Sequence, residues 1–314
     1  MSKNKVVIVG TGFVGMSYAY ALLNQGTVEE LVLVDINKEK AEGEAMDLNH
    51  GLAFAPRKMT ITAGDYEECR DAGLVVITAG VNQKPGETRI DLLNRNAKII
   101  QSVTKNIMAS GFDGIILVAS NPVDILAYVA WKESGLPSSK VLGSGTSLDT
   151  ARLRYEISKY IQIDARNIHA YILGEHGDSE FVCWSKAYVG TKPMLDVIES
   201  MKEINFEDLD LIYHKVRDAA HEIIKRKNAT YYGIGMALVR ITLAIFDNEN
   251  SILPVSVYND GVYDIDKDLY IGLPAVINRE GVHHVVNLKL SEDENKKLKN
   301  SANILKQILN QMNI

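Results

Sequence analysis

Apolar positions in the first half of the chain follow two alternating patterns. Short runs of Val, Ile and Leu without polar alternation occupy 5–9, 31–36, 74–78 and 114–118. Such runs describe strands covered on both faces, as in a parallel sheet. Helical patterns occupy 12–25, 41–52, 91–110 and 123–133, and Gly26 is a natural stop for the first. This alternation predicts an α/β fold built on a Rossmann-type doubly wound parallel sheet. After Gly145 the pattern changes. Helices at 148–161, 206–227, 231–246 and 292–312 mix with strand-like segments at 167–173, 251–257, 269–278 and 284–290. That mixture predicts a second, α+β catalytic domain. The expected division is 1–143 and 144–314, with the helix near 231–247 packing back on the first domain. No repeat, low-complexity tract or flexible linker separates the halves, and the join at Gly143 to Gly145 is tight.

Composition narrows the class. The 314 residues are 46% hydrophobic, enough for a substantial core. The net charge of −6 argues against a nucleic-acid or anionic-membrane partner. Cys69 and Cys183 form no CxxC pair and no metal-ligand spacing, so neither a disulfide framework nor a metal site is expected. A reducing, cytoplasmic setting fits. The apolar run near the start is too short for a signal peptide, and no segment reaches the ~18 consecutive apolar residues of a membrane span.

The first strand runs directly into Gly10-Thr11-Gly12-Phe13-Val14-Gly15. In this GxGxxG, Gly10 permits the tight turn, Gly12 lets backbone approach a pyrophosphate, and Gly15 lets the helix pack on the strand. The helix N-terminus offers free N–H groups to phosphates. Asp35 lies about 20 residues beyond Gly15, where a carboxylate would accept the ribose 2′-hydroxyl of NAD and repel the 2′-phosphate of NADP.

The candidate chemistry gathers around His176, between the glycines of Gly174-Glu175-His176-Gly177-Asp178. An imidazole there could take a hydroxyl proton while hydride leaves for a nicotinamide. Alone, it reads equally well as a loop histidine with a structural hydrogen bond. Asp149 would fix the tautomer and stabilise the imidazolium, although alone it reads better as a helix N-terminal acid. Arg152 changes the balance. It lies three residues on, on the same helix face, and a guanidinium can grip a substrate carboxylate with two parallel hydrogen bonds. Arg154 points about 200° away from Arg152 and reads first as a surface residue. Residues 80–89, GVNQKPGETR, read as a mobile loop from which Arg89 could swing in to polarise a carbonyl.

Together VVIVGTGFVG, LVDIN, ITAGVNQKPGETR, VASNPVDIL, GSGTSLDTARLR, IHAYILGEHGD and NATYYGIGMA resemble the L-lactate dehydrogenase family, within the lactate/malate dehydrogenase superfamily, over essentially the whole chain. The resemblance implies reversible hydride transfer between L-lactate and NAD, the last step of homolactic fermentation, with pyruvate as product. It implies that His176 is the proton acceptor, Asp149 its partner, Arg152 the carboxylate ligand and Arg89 the carbonyl polariser. Asn121, Asp124 and Thr230 would join the substrate pocket. Val14, Lys40, Tyr66, Gly80, Val81, Ser102, Asn121, Ser144 and Ile234 would join Gly10, Gly12, Gly15 and Asp35 around the cofactor.

Gln83 separates the sibling activities. The resembling malate dehydrogenases carry an arginine at this loop position, facing the second carboxylate. With a neutral Gln, oxaloacetate would bury that carboxylate unpaired, at a cost on the order of several kcal/mol. Malate dehydrogenase and other L-2-hydroxy-acid dehydrogenases are the alternatives. A non-catalytic NAD-binding protein would have no reason to keep His176, Asp149, Arg152 and Arg89 together. The resemblance further implies a fructose 1,6-bisphosphate effector site at Arg154 and His169 on a subunit interface, and a homotetramer. The short lead before the first strand suits the bacterial type.

Overall fold

The computed structural model describes residues 4–81, 86–201 and 206–312. Its first half alternates β1 (Lys5–Val9), α1 (Phe13–Gln25), β2 (Glu30–Val34), α2 (Lys38–His50), β3 (Thr60–Ala63), β4 (Leu74–Ile77), α3 (Arg89–Ala109), β5 (Ile115–Val118), α4 (Val123–Ser134) and β6 (Val141–Gly143). The parallel order is β6-β5-β4-β1-β2-β3. Every residue of β1, β4 and β5 is buried, which is why these strands read as unbroken apolar runs. Fully burying each Val, Leu or Ile contributes about 1.5–3 kcal/mol. β3 and β6 are short and were absent from the sequence pattern. The polar Thr60 and Thr62 of β3 face outward.

The second half contains α5 (Ser147–Ile161), the short strands β7 (Ile168–His169), β8 (Ile172–Leu173), β9 (Phe181–Val182), β10 (Tyr188–Val189) and β11 (Lys192–Pro193), then α6 (Met194–Ser200), α7 (Phe206–Lys227), α8 (Tyr232–Phe246), β12 (Ser251–Tyr258), β13 (Tyr270–Asn278), β14 (Gly281–Val285) and α9 (Glu292–Gln311). The strand expected at 167–173 is two strands in different small sheets, β11-β10-β7 and β8-β9. The segment expected at 284–290 ends as a strand at Val285; beyond it, Leu288 and Leu290 pack on the core without pairing.

β12, β13 and β14 do not build a separate sheet. They extend the first sheet antiparallel from its β6 edge, giving nine strands. Two glycines make the join possible. A Cβ on Gly143 would lie 2.9 Å from Ser256 Cβ, and one on Gly145 would lie 2.3 Å from Ser256 N. α8 packs on α1, where Tyr18 Oη and Thr242 Oγ1 share a buried 2.6 Å hydrogen bond. A separate apolar cluster joins α5, α6 and α7 through Leu153, Ile157, Ile198, Ile212 and Val216. The loops after β4, β5 and β6 therefore open at the sheet's C-terminal edge, where open α/β sheets bind ligands.

Candidate active site

A cleft of about 650 Å³ lies along that edge, lined by Gly10, Gly12, Asp35, Lys40, Tyr66, Gly80, Val81 and Ser102 among others. Gly10 has φ +107°, which favours glycine. A Cβ on Gly15 would sit 2.1 Å from Gly10 O, so only glycine lets α1 approach β1 this closely. A Cβ on Gly12 would meet no described atom within 4 Å, which leaves its backbone open to the cleft. Asp35 Oδ2 accepts from Thr11 N at 2.7 Å and Thr11 Oγ1 at 3.0 Å, while Oδ1 accepts from Asn37 N at 2.9 Å. Burial pushes the Asp35 pKa up, but these donors and nearby Lys40 outweigh it and hold the carboxyl below its usual range. Lys40 Nζ donates to Thr11 O at 2.5 Å, tying α2 to the glycine turn. These residues fit a dinucleotide: an open glycine cradle for phosphates and an ionised acid at the end of β2 for a ribose.

The catalytic candidates meet where α5 faces the loop after β8. His176 Nδ1 lies 2.6 Å from Asp149 Oδ2. An ionised carboxylate only accepts, so Nδ1 carries the hydrogen and Nε2 remains for proton exchange. Arg152 Nη1 donates to Asp149 Oδ1 at 2.7 Å. The Asp149 side chain is 3% exposed, Arg152 15% and His176 27%. Burial would raise the Asp149 pKa, yet His176 and Arg152 hold it below the usual carboxylate range. Burial would lower the His176 pKa, but the Asp149 carboxylate wins and lifts it to about 9. This arrangement can hold a proton at Nε2 and release it, with a cation three residues from its partner.

The loop around His176 is anchored on four sides. Gly174 and Gly272 of β13 exchange backbone hydrogen bonds at 3.0 and 2.9 Å. Glu175 N donates to Ser301 Oγ of α9 at 2.6 Å, and Tyr213 Oη of α7 donates to Glu180 O at 2.5 Å. His176 N donates to Asp124 Oδ2 at 2.8 Å, and Ser256 Oγ of β12 donates to Asp124 Oδ1 at 2.5 Å. Asp124, expected in the substrate pocket, is buried in the first turn of α4, where its oxygens hold the loop. Burial raises its pKa to about 6, against the pull of Ser256 and the His176 N–H.

Two family models cover the chain: lactate/malate dehydrogenase, NAD binding domain, over residues 4–143, and lactate/malate dehydrogenase, alpha/beta C-terminal domain, over 146–313. The chain belongs to the lactate/malate dehydrogenase family. L-lactate dehydrogenase 2 of Bacillus cereus is 56% identical over 306 residues, 98% of this chain and 97% of the relative. A crystal structure of a lactate dehydrogenase from a Medee basin deep-sea metagenome library matches with TM-score 0.99 and 76% identity over 100% of both chains. The ligand-bound minor L-lactate dehydrogenase of Enterococcus mundtii matches with TM-score 0.97 and 51% identity, again over 100% of both.

In this lactate/malate dehydrogenase chain the other expected residues lie as follows. Gln83, the substrate selector in the sequence, falls outside the described residues. Arg89 begins α3 rather than preceding it; its side chain is 90% exposed and Nη1 lies 3.9 Å from Asp178 Oδ2 in the His176 loop. Asn121 is exposed just past β5, before a cis peptide bond to Pro122. Ser144 is buried and donates its N–H to Val118 O, and Thr230 is half-buried just before α8. Val14 and Ile234 pack on the main core as half-buried residues. Arg154 is half-buried, donates to Ala170 O at 3.3 Å and stacks 5.5 Å from the Tyr171 ring. His169 is exposed on β7, opposite Tyr188.

Three functional candidates escaped the sequence. Asn96 is buried on α3 and accepts from Val81 N at 2.9 Å, fixing the loop after β4. Ser256 holds Asp124 from 132 residues away. Glu180, 4% exposed, lies beside Asp149 and His176. None carries a local motif; only the fold brings them in.

Proposed function

We propose that the chain is an NAD-dependent L-lactate dehydrogenase that interconverts L-lactate and pyruvate. The observation that carries this reading is the Arg152–Asp149–His176 chain of contacts, joined to a glycine cradle with an ionised Asp35. The Gly10–Gly15 turn and Asp35 would hold NAD, which would supply the acceptor for the hydride from C2 of the hydroxy acid. Arg152 binds the substrate carboxylate as an anion. His176 Nε2 takes the hydroxyl proton as the C2–H bond breaks, leaving a 2-oxo acid, and Asp149 stabilises the resulting imidazolium. In reduction the same nitrogen returns the proton to the carbonyl oxygen. Arg89 sits at the base of the loop, free to move inward and polarise that oxygen. Gln83 favours pyruvate over oxaloacetate, since a neutral side chain leaves a second carboxylate unpaired. The names of the relatives, L-lactate dehydrogenase in Bacillus cereus and Enterococcus mundtii, support the same substrate.

Two free, buried cysteines suit a reducing, cytoplasmic setting, and no helix of the described residues is long and apolar enough to cross a membrane. Phe13 and Tyr20 on α1 and Tyr232 and Met236 on the adjoining α8 are exposed, which supports an interface with a second copy of the chain, and the family resemblance makes the assembly a homotetramer. Arg154 joins Arg166 and Arg240 around a cavity of about 350 Å³, and His169 adjoins the Ala170 carbonyl that Arg154 contacts. These cations support a fructose 1,6-bisphosphate effector site between subunits. The test is NADH oxidation with pyruvate and oxaloacetate, each with and without fructose 1,6-bisphosphate. The expected result is a strong preference for pyruvate, increased by the bisphosphate and insensitive to it in Arg154→Gln. Preference for oxaloacetate would make the enzyme a malate dehydrogenase.

A further inference from the structure

The proton-transfer pair has a third member that its mechanism does not use. Glu180 is buried, and its carboxyl lies within 4.8 Å of the facing Asp149 oxygen and His176 nitrogen. Its backbone carbonyl accepts from Tyr213 Oη at 2.5 Å, which anchors this stretch of the loop to α7. Two carboxylates at this separation inside a protein cannot both ionise cheaply, and one keeps a proton. Asp149 is the one held ionised, because it contacts both Arg152 and His176 directly. The proton therefore belongs to Glu180.

We propose that Glu180 is a positioning residue that works un-ionised, donating a hydrogen bond to Asp149 and completing the support of His176. Asp149 then has hydrogen-bond donors on three sides, Arg152, His176 and Glu180, which fixes the plane of its carboxylate and the orientation of the imidazole. Neutrality matters as much as position. An ionised Glu180 would compete for the Arg152 guanidinium and repel the carboxylate of an incoming 2-oxo acid. The charged and titratable groups around it agree with this assignment. Asp149 and Arg152 face it from α5, His176 from its own loop and the neutral Tyr213 phenol from α7. Asp210 of α7 and Lys296 and Lys297 of α9 line the cavity outside the 179–182 segment. Burial, then the Asp149 charge, lifts the Glu180 pKa to about 9, against the pull of His176 and Arg152.

The inference rests on His176 as the proton acceptor, and the test separates the two. Glu180→Ala is expected to lower kcat/KM for pyruvate by about 10- to 100-fold, the effect of losing one hydrogen bond to a charged group. Glu180→Gln, whose amide donates but never ionises, is expected to recover most of that loss. In the wild type two groups titrate near pH 9, so the alkaline rise in KM for pyruvate should be a two-proton limb; in Glu180→Gln it should become a one-proton limb. Infrared difference spectra of the wild-type protein should show an un-ionised carboxyl at pH 7 that is lost near pH 9 and is missing from Glu180→Gln. A Gln variant as impaired as the Ala variant, an unchanged limb, or no such carboxyl in the wild type would each overturn the proposal. His176→Asn tests the acceptor alone: retained turnover would remove that reading, while the carboxyl band would still report on Glu180.

Discussion

At the scale of single residues, the site works by setting charges apart. Asp149 is kept ionised and His176 is kept protonated near neutrality because each holds the other, with Arg152 on the far oxygen. Removing the base by His176→Asn should lower kcat by about 10²–10⁴-fold in both directions, measured by NADH absorbance. The direction of catalysis also depends on pH. Lactate oxidation needs a neutral imidazole, so its kcat/KM should rise as pH approaches about 9, while pyruvate reduction should decline above that value. Asp149→Asn removes the charge that lifts His176, so both limbs should move to lower pH. Limbs that stay in place in Asp149→Asn would show that another group governs the profile. Tight-loop glycines and helical spacing made His176, Asp149 and Arg152 candidates in the sequence, but taken singly His176 and Asp149 read as well or better as structural residues, and only the family resemblance gave them roles. Glu180 and Ser256 were not, since their partners lie far away in the chain and no spacing rule reaches them.

At the scale of elements, the glycines divide into those that the protein needs to fold and those that the ligand needs. Gly15 lets α1 rest on β1: its Cβ would fall 2.1 Å from Gly10 O and 2.8 Å from Thr78 Oγ1. Gly12 faces the open cleft. Gly15→Ala should therefore lower the melting temperature and weaken NADH binding together. Gly12→Ala should leave the melting temperature within a degree or two of wild type but weaken NADH by about tenfold or more, since a methyl would stand where the backbone must approach the pyrophosphate. Calorimetry and fluorescence titration on the two variants check the division, and equal destabilisation of both would refute it. β1, β2, β4 and β5 were legible because burial on both faces makes them continuous apolar runs, whereas β3, with its exposed threonines, and the three-residue β6 were not. The join of β12 to β6 was not. It depends on Gly143 and Gly145 having no side chains against Ser256, and a glycine in sequence does not say which strand it admits.

At the scale of the molecule, these shifted groups link proton binding to folding. His176 has a folded pKa of about 9, above its ordinary value of 6.5; its stabilisation is fully present below 6.5 and is lost as pH rises through about 9. Glu180 also binds its proton more tightly when folded, from 4.5 up to about 9, so between those values the native state holds a proton that the unfolded chain releases. Glu180 makes stability fall with rising pH across that range, and His176 adds to the fall from 6.5 upward. Asp149 works in the opposite sense: its pKa is depressed, so its contribution is present above 3.8 and lost only on acidification below that value. These three groups together predict a melting temperature highest in mildly acidic solution and declining up to about pH 9, more steeply above 6.5. In Glu180→Gln the carboxyl no longer titrates, so the decline between pH 6 and 9 should be shallower than in the wild type. Scanning calorimetry at one fixed protein concentration makes the comparison. Parallel curves for the two proteins would mean that Glu180 binds no more protons in the folded enzyme than in the unfolded chain.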